Sequence, residues 1–187
     1  MTSTQPLKLG VIAGSLRKDS YNAAIARALP ALAPAGVTIS ALPSIRDIPL
    51  YDADLQAKGF PPAVTALAEA VRSSHGIIIV SPEYNYSIPG VLKNAIDWVS
   101  RLPNQPFANK PIALQSASMG PLGGARVQYH LRQVFVFLDA QVFNRPEVFV
   151  GTAQNKIDAA GAITDKATSE FIAGQLKAFA DYVRRVG

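Results

Sequence analysis

The sequence predicts an α/β fold: a doubly wound, five-stranded parallel sheet with helices on both faces. Three observations carry this. Apolar, β-branched runs such as GIIIV at 76–80 recur along the chain, Ala- and Leu-rich stretches of helical spacing separate them, and turns rich in glycine and hydroxyls follow several of the runs. Strands that alternate with helices feed a parallel sheet, and 187 residues suit one domain spanning 1–187.

Residues 8–13, KLGVIA, read as a buried strand. NAAIARALPAL at 22–32 reads as a helix, with Asn22 near its start and Pro30 near its end. GVTIS at 36–40 is a short β-branched strand, and 41–60, with prolines, aspartates and no clear period, reads as a long surface loop. PPAVTALAEAVRSSHG at 61–76 opens on prolines and closes on a glycine, as a helix does. GIIIVSP is continuous and β-branched, as expected of a strand covered on both faces. The remainder reads as a helix at 89–102, a strand at 110–118, a helix at 123–140, a strand at 147–151 and a closing helix at 164–186. Five strands in this length suit the flavodoxin-like strand order 2-1-3-4-5. Ligands of such sheets lie beyond the carboxyl ends of the strands beside strand 1, which selects the loops 14–22, 81–89 and 116–124.

Composition narrows the chemistry. Apolar residues make up 49% and charged residues 17%, a globular balance, and no apolar run is long enough to span a bilayer. The N-terminus lacks the pattern of a secretory signal, so a cytoplasmic location is expected and no membrane partner. The absence of cysteine excludes disulfides, thiolate metal sites and a cysteine nucleophile. His75 and His130 stand far apart without partners at ligand spacing, so no metal is expected. The net charge of +5 favours anionic small molecules, while the scattered basic residues argue against nucleic acid.

Each selected loop has two readings. In Gly14-Ser15-Leu16-Arg17-Lys18-Asp19-Ser20-Tyr21-Asn22 a helix N-terminus, hydroxyls, an amide and Arg17 suit a phosphate monoester; alternatively Ser20 or Asn22 only caps the helix. The stretch is neither a Walker A loop nor a GxGxxG fingerprint. Ser81-Pro82-Glu83-Tyr84-Asn85-Tyr86 could form a rigid platform for a flat heterocycle, or its tyrosines could cover core. Ser116-Ala117-Ser118-Met119-Gly120 and the glycines after it could let backbone approach a ligand, or form a flexible turn.

GSLRKDSYN fits the pattern G-S-x-R-x-x-S-x-N, and SPEYNYSIPGVLKNAIDWVSR resembles the signature PEYN-x-S-x-P-G-x-L-K-N-x-[IL]-D-W. Both resemble the NADPH-dependent FMN reductase family of flavodoxin-like proteins, and SASMGPLGGARVQYHLRQVFVFLDA is most similar to its quinone and chromate reductase branch. The resemblance implies FMN as cofactor and NADPH or NADH as electron donor. It implies that Ser15, Arg17, Ser20 and Asn22 hold the phosphate, with Leu16 close by. Pro82, Glu83, Tyr84 and Asn85, with Tyr86, would contact the ribityl chain and ring, Glu83 alternatively bracing the loop, and Ser118, Met119 and Gly120 would lie along the ring's other side.

No catalytic side chain is expected, because a chain without cysteine or clustered histidine leaves the reaction to a cofactor. The expected cycle is a two-electron ping-pong in which the nicotinamide and then the acceptor, a quinone or another small oxidant such as chromate, use the same space. The alternative is a flavodoxin-like electron carrier or a flavin-binding protein without turnover; the basic balance counts against a carrier. In the helix 123–140, Val127, Leu131, Val134 and Leu138 form a stripe suited to the sheet, leaving Tyr129, Phe135 and Phe137 outside it. Trp98 and Val99 raise the same surplus of apolar surface, which reads either as a wide core face or, as expected here, as a homo-oligomeric interface; the resemblance implies a homodimer or homotetramer.

Overall fold

The structure, a computed structural model, describes residues 6–187. Its strands are β1 (Leu7–Ala13), β2 (Val37–Ala41), β3 (Gly76–Val80), β4 (Pro111–Ala117), β5 (Gln141–Val142) and β6 (Val148–Val150). Its α-helices are α1 (Tyr21–Ala28), α2 (Ala53–Ala57), α3 (Pro62–Ser73), α4 (Gly90–Ser100), α5 (Ala125–Phe137) and α6 (Lys166–Val186). The sheet runs β2-β1-β3-β4-β5, with β6 also on β4. All pairings are parallel, as the alternation of elements requires.

β3 shows why a continuous apolar strand lies at the centre. Ile78 and Val80 enter the core beneath α1 and α6, while Ile77 and Ile79 enter the core beneath α3, α4 and α5. Both faces need an apolar side chain, so the run has no polar alternation. Pro30 ends α1 as expected, and the chain continues as a single 3₁₀ turn over Leu29–Leu32.

Three expectations need correction. The fifth strand is divided: Gln141–Val142 pairs with Pro111–Ile112, and Val148–Val150 pairs with Gln115–Ala117. Across the gap, Gln175 of α6 replaces the missing ladder, its Nε2 donating to the carbonyls of Leu114 and Pro146. The segment 41–60 is also more than a surface loop. It holds α2, and it sends Ile45 and Ile48 into the core.

That segment also explains Trp98. Its indole Nε1 donates to the Pro49 carbonyl, and Tyr51 stands edge-on to the ring at 5.1 Å. Trp98 and Val99 are fully buried, and so is Phe135, which packs edge-on against Phe107. The core stripe of α5 therefore runs through Val127, Leu131 and Phe135, with Val134 only half-buried. Of the apolar surplus on α5, Tyr129, Val136 and Phe137 remain exposed, Phe137 to 90%.

Candidate functional site

The three loops selected from the sequence start abreast at the carboxyl edge of the sheet. Gly14 N–H donates to the Val80 carbonyl at 2.8 Å, Ser81 N–H to the Gln115 carbonyl at 3.0 Å, and Ser118 N–H to the Val150 carbonyl at 3.0 Å. Gly14 is needed for closeness: a Cβ there would lie 2.8 Å from Ser81 Oγ and 3.0 Å from Leu92.

In the first loop Ser20 caps α1, its Oγ accepting from Ala23 N–H, and Ser15 Oγ accepts from Arg17 N–H at 3.3 Å. The N–H groups of Ser15, Leu16, Lys18, Asp19, Tyr21 and Asn22 meet no acceptor among the described residues. They are donors at the positive end of a helix, with the exposed Arg17 beside them. Leu16 packs on the core, and Arg46 Nη2 fixes its carbonyl at 2.7 Å. The side chain of Asn22 is engaged elsewhere: with the residue only 3% exposed, it exchanges two hydrogen bonds with the backbone of Ala117.

The second loop is a tight hairpin. Tyr84 and Ser87 exchange backbone hydrogen bonds, and Asn85 and Tyr86 both have positive φ, at 49° and 67°. That is the type I′ geometry, with Asn at a position that tolerates it and Tyr86 held there by its surroundings. Glu83 holds the hairpin from below. Its carboxylate accepts from the N–H groups of Arg126 and Val127 at the start of α5, and from the Arg126 guanidinium at 2.6 Å. That guanidinium lies 3.6 Å over the Tyr86 ring. His130 Nδ1 meets Ser87 Oγ at 2.9 Å, and Pro82 is buried. Tyr84 and Tyr86 keep 48% and 67% of their surface open, so these rings do not serve the core.

In the third loop, Ser118 Oγ donates to the Gly120 carbonyl, Met119 is exposed, and the N–H groups of Thr152 and Ala153 hold the carbonyls of Gly120 and Ser118. A Cβ at Gly120 would meet nothing closer than 3.8 Å. Gly124 is different: φ is +82° at the cap of α5, where a Cβ would lie 2.9 Å from Ser116, so this glycine serves the fold.

The family model for NADPH-dependent FMN reductases matches residues 7–155. The chain belongs to that family. It uses FMN with an NAD(P)H donor, as the NADPH-dependent FMN reductases do. Among the relatives, a quinone reductase of Escherichia coli is 56% identical over 98% of each chain. An NAD(P)H-dependent FMN reductase of Pseudomonas aeruginosa is 49% identical over 96% of this chain and 97% of its own. Of solved structures, the flavoenzyme FerB, an NAD(P)H:(acceptor) oxidoreductase from Paracoccus denitrificans, superposes with a TM-score of 0.87 at 34% identity, covering 97% of this chain and 99% of that one.

The donor set suits the cofactor of an FMN reductase. Open backbone N–H groups and a guanidinium match a phosphate, and exposed aromatic and thioether surfaces beside it match a flat ring. No group of His, Asp and Glu among the described residues could hold a metal ion. The sequence offered bracing as the alternative role of Glu83, but it did not give the partners: Arg46 lies 30 residues from Leu16, and Arg126 lies 43 residues from Glu83. Only the fold brings these partners together. A carboxylate three residues past a buried strand end was the available signal for the second pair.

Proposed function

We propose that this protein is a quinone reductase that draws electrons from NAD(P)H, with donor and acceptor taking turns at one surface. The observation that carries the reading is the meeting of an open anion cradle at 14–22 with the exposed faces of Tyr84, Tyr86 and Met119. FMN supplies the redox chemistry when bound: it takes a hydride and returns two electrons, so that NAD(P)H, a proton and a quinone become NAD(P)⁺ and a hydroquinone.

The chain's own groups bind and orient. The open N–H groups of Ser15 and Leu16 and the Arg17 guanidinium hold the phosphate, and Ser20 fixes the helix start that aims its neighbours. Asn22 adds its backbone N–H. Pro82, Tyr84, Asn85 and Tyr86 face the ribityl chain and ring, with Glu83 fixing the loop, and Ser118, Met119 and Gly120 border the ring opposite. No side chain acts as a covalent catalyst. The quinone relatives support the acceptor class, and chromate is an incidental oxidant at the same surface. We further propose one domain over 1–187, a cytoplasmic location and a homotetramer. The exposed Val136 and Phe137 support the assembly, and the lack of cysteine suits a reducing compartment.

Anaerobic stopped-flow mixing of the FMN-loaded protein with NADPH or NADH tests the activity. Fast, saturable loss of the oxidised flavin absorbance, followed by its return on adding a quinone, is expected. Flavin that stays oxidised would make the protein a carrier or a binding protein.

A further inference from the structure

The register of the sheet explains the unusual bonding of Asn22. β3 and β4 stay paired as far as Val80 and Gln115, and Ser81 N–H still reaches the Gln115 carbonyl. Next on that line would come the Ser81 carbonyl and the N–H of Glu83, and neither bonds to Ala117 among the described residues. In a parallel ladder alternate residues turn both backbone groups to the same neighbour. Ala117, two positions beyond Gln115, therefore faces a lane that β3 has left. Asn22 occupies that lane: its Oδ1 accepts from Ala117 N–H at 2.8 Å and its Nδ2 donates to the Ala117 carbonyl at 2.9 Å. One carboxamide thus stands in for one residue of strand.

The consequence is mechanical. Asn22 belongs to the first turn of α1, at the end of the anion cradle, and Ala117 is the last residue of β4, directly before Ser118 and Met119. With 3% of the residue's surface open and its carboxamide spent on Ala117, the Asn22 side chain offers an incoming phosphate almost nothing. We infer that Asn22 is a positioning residue that clamps the phosphate loop to the ring-side loop, so that 14–22 and 118–120 are set as one unit. The inference rests on the FMN reading above and assigns this side chain a role other than phosphate ligand. Gln175 performs the same kind of repair on the other edge of β4, from a helix joined to neither loop.

Flavin titrations of the apoprotein test it, followed by quenching of flavin fluorescence. FMN is compared with riboflavin, which has the ring and ribityl chain but no phosphate. The clamp predicts that Asn22→Ala weakens both ligands by the same factor, about tenfold, since two buried backbone groups lose their partner. Arg17→Ala weakens FMN alone, and Gln175→Ala lowers the melting temperature without changing either affinity. If Asn22→Ala weakens FMN and spares riboflavin, Asn22 is a phosphate ligand and the inference is overturned. If it spares both, Asn22 is only a structural brace and the inference is equally overturned. An Arg17→Ala protein with unchanged FMN affinity would overturn the phosphate reading itself, and the clamp with it, whichever way Asn22→Ala behaves.

Should Asn22→Ala fail to fold, Asn22→Asp keeps the test open. Its carboxylate accepts from Ala117 N–H but cannot donate to the carbonyl, whereas the protonated acid can. Riboflavin affinity of Asn22→Asp should rise as pH falls, while the wild type stays flat; a flat profile for the variant overturns the inference.

Discussion

The loops after β1 and β3 lie side by side and are built in opposite ways. The first keeps its backbone open: among the described residues most of its N–H groups between Ser15 and Asn22 have no partner, and its side chains Ser15 and Ser20 shape the turn. The second closes its backbone into a hairpin and braces it with side chains, Glu83 to α5, Ser87 to His130 and Arg126 over Tyr86. The difference suits what each loop is proposed to meet. A phosphate is held by many donors that can approach it at once, and backbone N–H groups do this without side-chain entropy. A flat ring is held by surfaces, which need a rigid support and little hydrogen bonding. Loss of one side chain should therefore harm stability in the second loop and binding in the first.

Glu83 gives the largest expected effect. Its side chain is only 7% exposed and serves two N–H groups and a guanidinium, so Glu83→Ala leaves the start of α5 uncapped. Urea denaturation should show a loss of about 2–3 kcal/mol, with Glu83→Gln recovering part of it. The contrast would collapse if Glu83→Ala unfolded at the wild-type midpoint. Arg17 is the counterpart. It is exposed and free of ion pairs among the described residues, so Arg17→Ala should keep the melting temperature. Its FMN affinity should fall about ten- to a hundredfold, the range for a charge-assisted hydrogen bond.

Both loops were legible in the sequence because their signals are local. GSLRKDSYN carries its hydroxyls, its cation and its helix start within nine residues, and the strands before both loops are continuous apolar runs. Bracing was open as the alternative role of Glu83, but the partners of the braces were not legible, because each joins distant segments. Trp98 looked like surplus surface until Pro49 and Tyr51 were seen to cover it. Gln141–Val142 is too short to signal a strand, and Gln175, which completes the gap after it, comes from the last helix. Asn22 was read through its position beside the cradle, whereas its partner Ala117 lies 95 residues away.

Tyr86 sharpens the comparison with a smaller effect. Its ring is exposed above and carries the Arg126 guanidinium, so Tyr86→Ala should cost only about 0.5–1 kcal/mol of stability. The same change removes ring surface at the proposed mouth, so KM for the quinone should rise more than kcat falls in steady-state assays. An equal loss in both would place Tyr86 with the braces instead of the surfaces.

The smallest effect is expected far from both loops, at the start of α6, and it isolates stability from binding. Asp165 caps that helix, accepting from the N–H and the hydroxyl of Thr168, and these hydrogen bonds hold its carboxyl below the usual carboxylate range. A carboxyl lowered on folding contributes stability above its unfolded pKa, near 4, and loses that contribution as pH falls through the folded value. Asp165→Asn keeps a good cap and removes the proton, so at pH 7 the melting temperature should hardly move. Below about pH 4 the wild type should lose stability more steeply with pH than the variant. FMN affinity should be the same in both, because nothing joins this cap to the cradle. A change in affinity would mean that α6 reaches the site through Gln175 and β4, and the division between a binding loop and a braced loop would then have to include the last helix.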